Sequence, residues 1–408
     1  MRPATFAPFL GVAIAFSGCA RSTTPIVPAR LVPSRAASLL RPASNFKVLH
    51  SFGSEKDGKN PEGSMKVFKG ALYGTTYGGG AFGIGTVFAI GAAGAERVLR
   101  SFDYSDGARP TANLIGRDGI LYGTTSTGGQ HGMGTVFTLS SSGRQRVLYN
   151  FKGGPNGDQP LAGLTFLNGT LYGTTYGGAY YYFRQNGTAF SITTAGRQRV
   201  LHKFGIGSGY DGFNPEGDLT VLNSTLYGTT YSGGANYDGT VYSLTTGGHE
   251  SVIYTFTGGN GDGDGSQPQA GLVTLNGMLY GTTSEGGTGD PPIGCGTVFS
   301  VTPAGEEKIV YNFQCGADGA DPIAGLTVVN GMLYGTTQYG GGTGCQSSGC
   351  GTIFSVSTSG TERIVHAFKG GATGAYPAAA LTLFNGKLYG TTESGGTKNA
   401  GTVFALSP

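Results

Sequence analysis

Seven copies of Leu-Tyr-Gly-Thr-Thr, an Asn-Gly turn ahead of most of them, and a first strand that is out of phase with the rest predict an all-β fold. The architecture they specify is a seven-bladed β-propeller with four antiparallel strands per blade, its last blade closed by the N-terminal strand. The copies begin at Leu72, Leu121, Leu171, Leu226, Leu279, Leu333 and Leu388, at intervals of 49 to 55 residues. Repeats of this length mark propellers or solenoids, whose units bury their cores against their neighbours.

Four strand-like segments recur in each copy. Strand a is typified by "AGLTFL", strand b by "TLYGTTY", strand c by "GTVF" plus two or three residues, and strand d by "RVLYNF". The a–b turn is Asn168-Gly169, Asn276-Gly277, Asn330-Gly331, Asn385-Gly386 or Asp118-Gly119, with Lys69-Gly70 and Asn223-Ser224 as departures. Asn-Gly between apolar runs signals a type I′ hairpin, because both central residues need positive φ. The c–d connection carries a glycine, such as Gly143 or Gly305. An Asp-Gly-x-x-Pro loop joins d to the next a at Asp57, Asp106, Asp211, Asp264 and Asp318. Proline suits that place because it precedes a strand and donates no ladder bond.

The d strands decide the topology. There are seven, but the first, "KVLHSF" from Lys47, precedes any a, b or c, while the chain ends on "GTVFALSP" with an a-b-c set that lacks its d. The N-terminal strand should therefore complete the last blade. An open solenoid would instead need atypical capping repeats at its ends.

In this architecture LYGTT is structural. Both faces of strand b are buried between blades, so Leu and Tyr can both be core, and the Thr pair can satisfy its hydroxyls across the sheet. Gly74 and its counterparts are expected to admit backbone from the next blade. The lesser alternative is that the Thr ends line the central channel. Nothing requires one active site to be repeated seven times around a ring.

Composition agrees with a turn-rich β protein: 78 of 408 residues are Gly, 18 are Pro, none is Trp, and 12% are charged. The net charge of +3 comes from the N-terminus, where residues 1–45 hold five Arg and no acid. The remainder has 21 basic and 23 acidic residues, so no basic face for nucleic acid is expected. Residues 1–19 read as a lipoprotein-type signal peptide, with an apolar run too short to span a bilayer. Cys19 is the expected lipid anchor and the sole membrane attachment, a plainly cleaved signal being the alternative. Residues 20–45, rich in Pro, Ala and Arg, read as a flexible tether, and residues 46–408 as the propeller.

The run "LYGTTYGGGAFGIGTVFAIGAAGAERVLRSF" resembles the tandem GloVer repeat of bacterial surface proteins, which carry anchors of differing type. All seven copies match it. The resemblance implies an extracytoplasmic, anchored propeller and transfers no catalytic residue. The Gly-Gly after strand b is also similar to kelch blades, without the kelch Trp.

Function should sit where copies depart from their own consensus, on the face that carries the b–c and d–a loops. In blade 3, Tyr180, Tyr181, Tyr182, Phe183 and Arg184 replace a Gly-rich b–c loop. Such rigid aromatics with Arg suit a sugar ring or a peptide; the competing reading folds them inward as filler. "GNGDGDGSQP" resembles a calcium loop through Asn260, Asp262 and Asp264, but Gly271 stands where the bidentate acid belongs. Hairpin register favours a Cys295–Cys315 disulfide and leaves Cys345 and Cys350 to close a short ring, a zinc site being the rival. His50, His202 and His366 share one strand-d position and read as structural; His131 and His249 lie in separate loops, and no metal cluster is evident.

The leading expectation is a monomeric binding or interaction module for surface carbohydrate or protein. One alternative is a glycosidase or lyase using Glu285 and Glu393 across the channel mouth. The other is a purely structural repeat protein.

Overall fold

The computed structural model describes residues 45–53, 56–178, 186–205, 211–258, 263–289 and 293–408. The signal, Cys19 and the tether lie outside these residues, apart from Asn45.

Seven four-stranded antiparallel sheets follow one another as predicted. In blade 1, strands a to d are Lys66–Phe68, Ala71–Thr76, Thr86–Ile90 and Glu96–Ser101. In blade 7, strands Thr382–Phe384, Lys387–Thr392 and Thr402–Leu406 are completed by Lys47–Ser51. Lys47 pairs with Ala405 and Ser51 with Thr402. Beyond the strand, Phe52 N–H donates to the Gly401 carbonyl at 3.0 Å, and Asn60 N–H to that of Ala400 at 2.8 Å. Strand a of blade 7 also contacts strand a of blade 1, so the inner strands complete a circle.

The a–b turns adopt positive φ at both central residues, including the two departures. Lys69 and Gly70 stand at 46° and 78°, and Asn223 and Ser224 at 51° and 63°. The turn geometry is thus set by the twist of the strands it joins, and Ser224 is held where glycine would be unstrained.

LYGTT is architecture, and the structure shows how. Leu72 belongs to the apolar cluster shared with blade 7, beside Phe52, while Tyr73 belongs to the cluster shared with blade 2, beside Leu114 and Leu121. Alternation along strand b therefore feeds two different cores. The apolar interior consists of seven such clusters, one per blade boundary. The second Thr of each copy faces the first Thr of strand c, as in Thr76 and Thr86, whose hydroxyls are 2.8 Å apart. In five copies the first Thr reaches the next blade, as Thr75 Oγ1 donates to the Ala112 carbonyl at 2.9 Å, whereas the buried hydroxyls of Thr174 and Thr391 have no partner among the described residues. All fourteen Thr residues of the LYGTT copies are at most 1% exposed, so none lines the channel.

The glycine corrects an expectation. A Cβ on Gly74 would lie 2.5 Å from the Phe88 ring of its own blade, not against backbone of the next. Gly74 and Phe88 are cross-strand partners. The glycine makes room for an aromatic ring lying across it, and the same arrangement recurs in every blade. That ring then meets the Phe ending strand d of the preceding blade, as in Phe52–Phe88, with centroids 5.2 Å apart and planes at 67°. Backbone does approach closely at the c–d glycines. A Cβ on Gly143 would sit 2.6 Å from the Leu99 carbonyl oxygen of blade 1. Leu99 is the extra residue of the β-bulge that interrupts strand d of that blade.

In blade 4 the ring over the glycine is Tyr242. Its hydroxyl is buried and has no hydrogen-bond partner among the described residues. Tyr242→Phe is expected to stabilise the protein by about 1–3 kcal/mol by removing an unsatisfied polar group. The midpoint of urea unfolding measures this, and an unchanged or lower midpoint contradicts it.

Candidate functional site

The d–a and b–c loops share one face, as predicted. A bridge ties them together in each blade, for example Ala108 with Thr127 and Ser266 with Glu285. The residue before the loop proline is central to this face. Asn60, Arg109, Gln159, Asn214, Gln267, Asp321 and Tyr376 all have φ between 52° and 58°, a region that non-glycine residues seldom occupy. Backbone hydrogen bonds hold each one there from two blades. Arg109 N–H donates to the Ile84 carbonyl of blade 1 at 2.8 Å, and the Arg109 carbonyl accepts from Ser126 N–H of blade 2 at 3.2 Å. Because the backbone makes the joint, the side chain is free to differ.

Three rings of non-repeating side chains therefore surround the channel mouth. One is the pre-proline set. A second follows the proline by one residue and includes Glu62, Thr111, Glu216 and Gln269. The third follows the Thr pair and includes Tyr77, Tyr176, Tyr231, Gln338 and Glu393. They link blade to blade. Asn60 Nδ2 donates to the Glu393 carbonyl at 3.1 Å, and Asn214 Nδ2 to the Tyr176 carbonyl at 3.0 Å. The Arg109 guanidinium lies over the Tyr77 ring at 5.3 Å. Tyr231 donates its hydroxyl proton to Gln267 Oε1, and Gln267 Nε2 donates to Glu285 Oε2 at 2.7 Å. Strained non-glycine backbone often accompanies functional sites. The sequence reading missed these rings, although one signal was present: variable residues framed by an otherwise constant Asp-Gly-x-x-Pro.

The mouth holds a cavity of about 140 Å³ lined in part by Glu62, Thr111, Glu216, Asp218 and Gln269. Below it a channel of about 580 Å³ runs along the inner strands, past Lys66, Leu383 and Asp218. Asp218 accepts from Gly163 N–H at 2.5 Å and from the Asn113 side chain, spanning blades 2 to 4 at the waist between the two cavities. Burial, with the Glu393 charge added, pushes the Glu62 carboxyl up to about 7. Burial alone pushes Glu216 up to about 7, and burial with the Glu285 charge takes Asp321 to about 6. The face is an acidic, amide- and phenol-rich surface on which burial raises the carboxyls, Glu62 and Glu216 to about 7. At its rim stand exposed Phe82, Tyr104 and Tyr237.

The sequence-selected candidates fare unequally. Tyr180 to Arg184 lie outside the described residues, as do Asn260 and Asp262. Among the described residues of blade 3, Asn186 N–H donates to the Gly178 carbonyl at 3.0 Å. Asp264 accepts from Thr257 N–H and Oγ1 at 2.9 and 2.8 Å and from the Tyr254 hydroxyl, so turn and blade contacts engage its carboxylate. The charged neighbours of Glu285 are Asp238 and Asp321, and Glu393 neighbours Glu62. Cys295 pairs with Cys315, and Cys345 with Cys350.

Sequence comparison matches the family described as the Gloeobacter/Verrucomicrobia repeat at residues 38–237 and 183–404. The chain belongs to that family. Its two overlapping matches run through all seven blades of this Gloeobacter/Verrucomicrobia repeat protein. No curated protein matches it at a significant level. Among solved structures, it is similar to a putative 6-phosphogluconolactonase from Bacteroides uniformis at 16% identity, covering 77% of this chain and 86% of the other with a TM-score of 0.48. A gluconolactonase from Xanthomonas campestris is similar at 10% identity, covering 89% of each chain with a TM-score of 0.44. A europium-containing methanol dehydrogenase is similar at 9% identity, covering 89% of this chain and 93% of that one with a TM-score of 0.47. Likeness at these levels says nothing of activity or substrate.

The raised carboxyls set the sign of a pH dependence. Between about 4.5 and 7 the folded chain keeps protons on Glu62 and Glu216 that the unfolded chain has released. Stability contributed at these sites therefore falls as pH rises through that window. Urea titrations across it should show a shallower decline for the Glu62→Gln, Glu216→Gln double variant than for the native chain, and equal slopes would refute the assignment.

Proposed function

We propose that the chain is an extracytoplasmic binding module whose loop face takes a polyhydroxylated ligand, a carbohydrate of the cell envelope. The observation that carries this reading is the set of mouth side chains that vary from blade to blade on a backbone joint that does not. Their chemistry is carboxyl, amide and phenol, groups that donate to and accept from hydroxyls. Exposed aromatics at the rim add flat apolar surface suited to a sugar ring. Protein is the other ligand class that such a face fits. Two disulfides support an oxidising compartment, and a lipidated Cys19 would hold the body at a membrane through residues 20–45.

Blades 3 to 5 bring Tyr176, Glu216, Tyr231, Gln267 and Glu285 to the face. Glycan arrays and cell-wall pulldowns with the native chain should retain a defined carbohydrate. Glu216→Gln with Tyr231→Phe should weaken retention roughly tenfold, as for the loss of one or two hydrogen bonds to the ligand. Retention indifferent to that pair and to serine at Tyr180 to Phe183 would remove the proposed site. One feature favours a catalytic reading: Glu62, an acid with its carboxyl raised to about 7, stands beside Glu393. Opposed carboxyls of this kind serve acid–base chemistry on glycosides. Product release from a polysaccharide panel, abolished by Glu62→Gln, would select that reading over simple binding.

A further inference from the structure

At the outer rim, away from the mouth, five of the seven blade boundaries repeat one contact. A residue near the end of strand d meets the acid of the following d–a loop, and the first residue of the next blade's strand d stands beside them. At blades 1 and 2 these are Arg100, Asp106 and Gln145. At blades 4 and 5 they are Tyr254, Asp264 and Glu307, and at blades 5 and 6 Tyr311, Asp318 and Glu362. At the other two of the five the strand-d residue is histidine. Between blades 7 and 1 the group is His50, Asp57 and Glu96, and between blades 3 and 4 it is His202, Asp211 and Glu250.

We propose that His50–Asp57–Glu96 and His202–Asp211–Glu250 are two divalent transition-metal sites of the zinc class, each clamping one blade to the next. In both groups the ligand atoms lie within 4.8 Å of one another. His50 Nε2 is 3.0 Å from Asp57 Oδ2, and His202 Nε2 is 2.9 Å from Asp211 Oδ2. A tetrahedral zinc ion with bonds of about 2.0–2.2 Å sets its ligand atoms about 3.4 Å apart, so a small rotation of the glutamate closes either set. The donor set, one imidazole and two carboxylates, is a borderline one that zinc accepts, and its two negative charges match a dication.

Glu96 Oε1 and Glu250 Oε1 are buried and have no hydrogen-bond partner among the described residues, and the same is true of Glu307 Oε1 and Glu362 Oε1 at the two tyrosine boundaries. The hydroxyls of Tyr254 and Tyr311 donate to Asp264 and Asp318. What sets the two proposed sites apart is therefore the imidazole, which adds a nitrogen ligand to the carboxylate pair. His50 and His202 remain about one-fifth exposed. A cleft of about 520 Å³ opens onto the first group, giving an ion entry and a water access to a fourth coordination position.

The third histidine of the series is an internal control. His366 meets no loop acid, and the position of Glu96 is taken by Phe46, whose ring stacks on the imidazole at 3.8 Å and 4°. Histidine at this position packs without carboxylates, and the carboxylate pair occurs beside tyrosine, so neither requires the other; among the described residues the two coincide at these two boundaries.

The test uses the full chain, purified without a histidine tag and stripped of metal. Calorimetric titration with zinc chloride should give two equivalents bound, and cobalt(II) should show the intense visible bands of tetrahedral coordination. His50→Tyr and His202→Tyr place a residue that other boundaries already carry, so both variants should fold. Each should lose one equivalent and the double variant both, while His366→Ala keeps two. Absence of saturable binding in the native chain, or two equivalents retained in a folded double variant, overturns the proposal.

Discussion

At each of the seven blade boundaries, a phenylalanine closing strand d meets, edge to face, an aromatic ring from strand c of the next blade. That second ring occupies the space a side chain would fill on the LYGTT glycine. Such pairs contribute about 0.5–1.5 kcal/mol each beyond the area they bury, and together they set the spacing between sheets. Much else follows from that spacing. Leucine and tyrosine of strand b must fill the gaps on either side, the buried second threonine of each copy must share its hydroxyl with the threonine opening strand c, and the c–d turn must be glycine because the preceding blade's bulge presses against it. A ring in which every boundary has the same geometry forces the same residues to recur, which is why the chain repeats itself so closely.

Positions whose structural task falls to the backbone escape this uniformity. The residue before each loop proline joins two blades through its own N–H and carbonyl, a joint that recurs whatever side chain it carries. The consequence is a rigid platform with independently variable groups, a better arrangement for recognition than a flexible loop, since little side-chain freedom remains to be lost on binding. Packing many carboxyls around one mouth has an electrostatic price: burial and mutual repulsion keep several of them protonated to near neutrality. A face of that kind can both donate and accept hydrogen bonds from the same residue type.

The outer rim obeys a different rule. There an acid in each of five d–a loops needs a donor, and arginine, tyrosine and histidine all serve. The choice has no effect on the fold but changes the chemistry available, because only histidine combines with two carboxylates into a set that could hold a dication. His366, stacked on Phe46, shows that one position of the repeat can give the same ring two different environments.

By itself the sequence determined the blade count, the order of strands, the closure of blade 7 by Lys47–Ser51 and the hairpin turns. These depend on local turn chemistry, alternation and periodicity, all of which are short-range and repeat. It also pointed to the face on which variable loops emerge, and to the cysteine pairs, through hairpin register. Tertiary structure alone decided what faces the LYGTT glycine, since the ring that fills its space arrives from another strand. It alone assembled the mouth, where Glu62 and Glu393 are neighbours although 331 positions separate them in the chain. The same holds for His50, Asp57 and Glu96, one residue from each of two blades and one from the loop that joins them. Contacts of this kind form only when the circle closes, and closure fixes distances that no local pattern encodes.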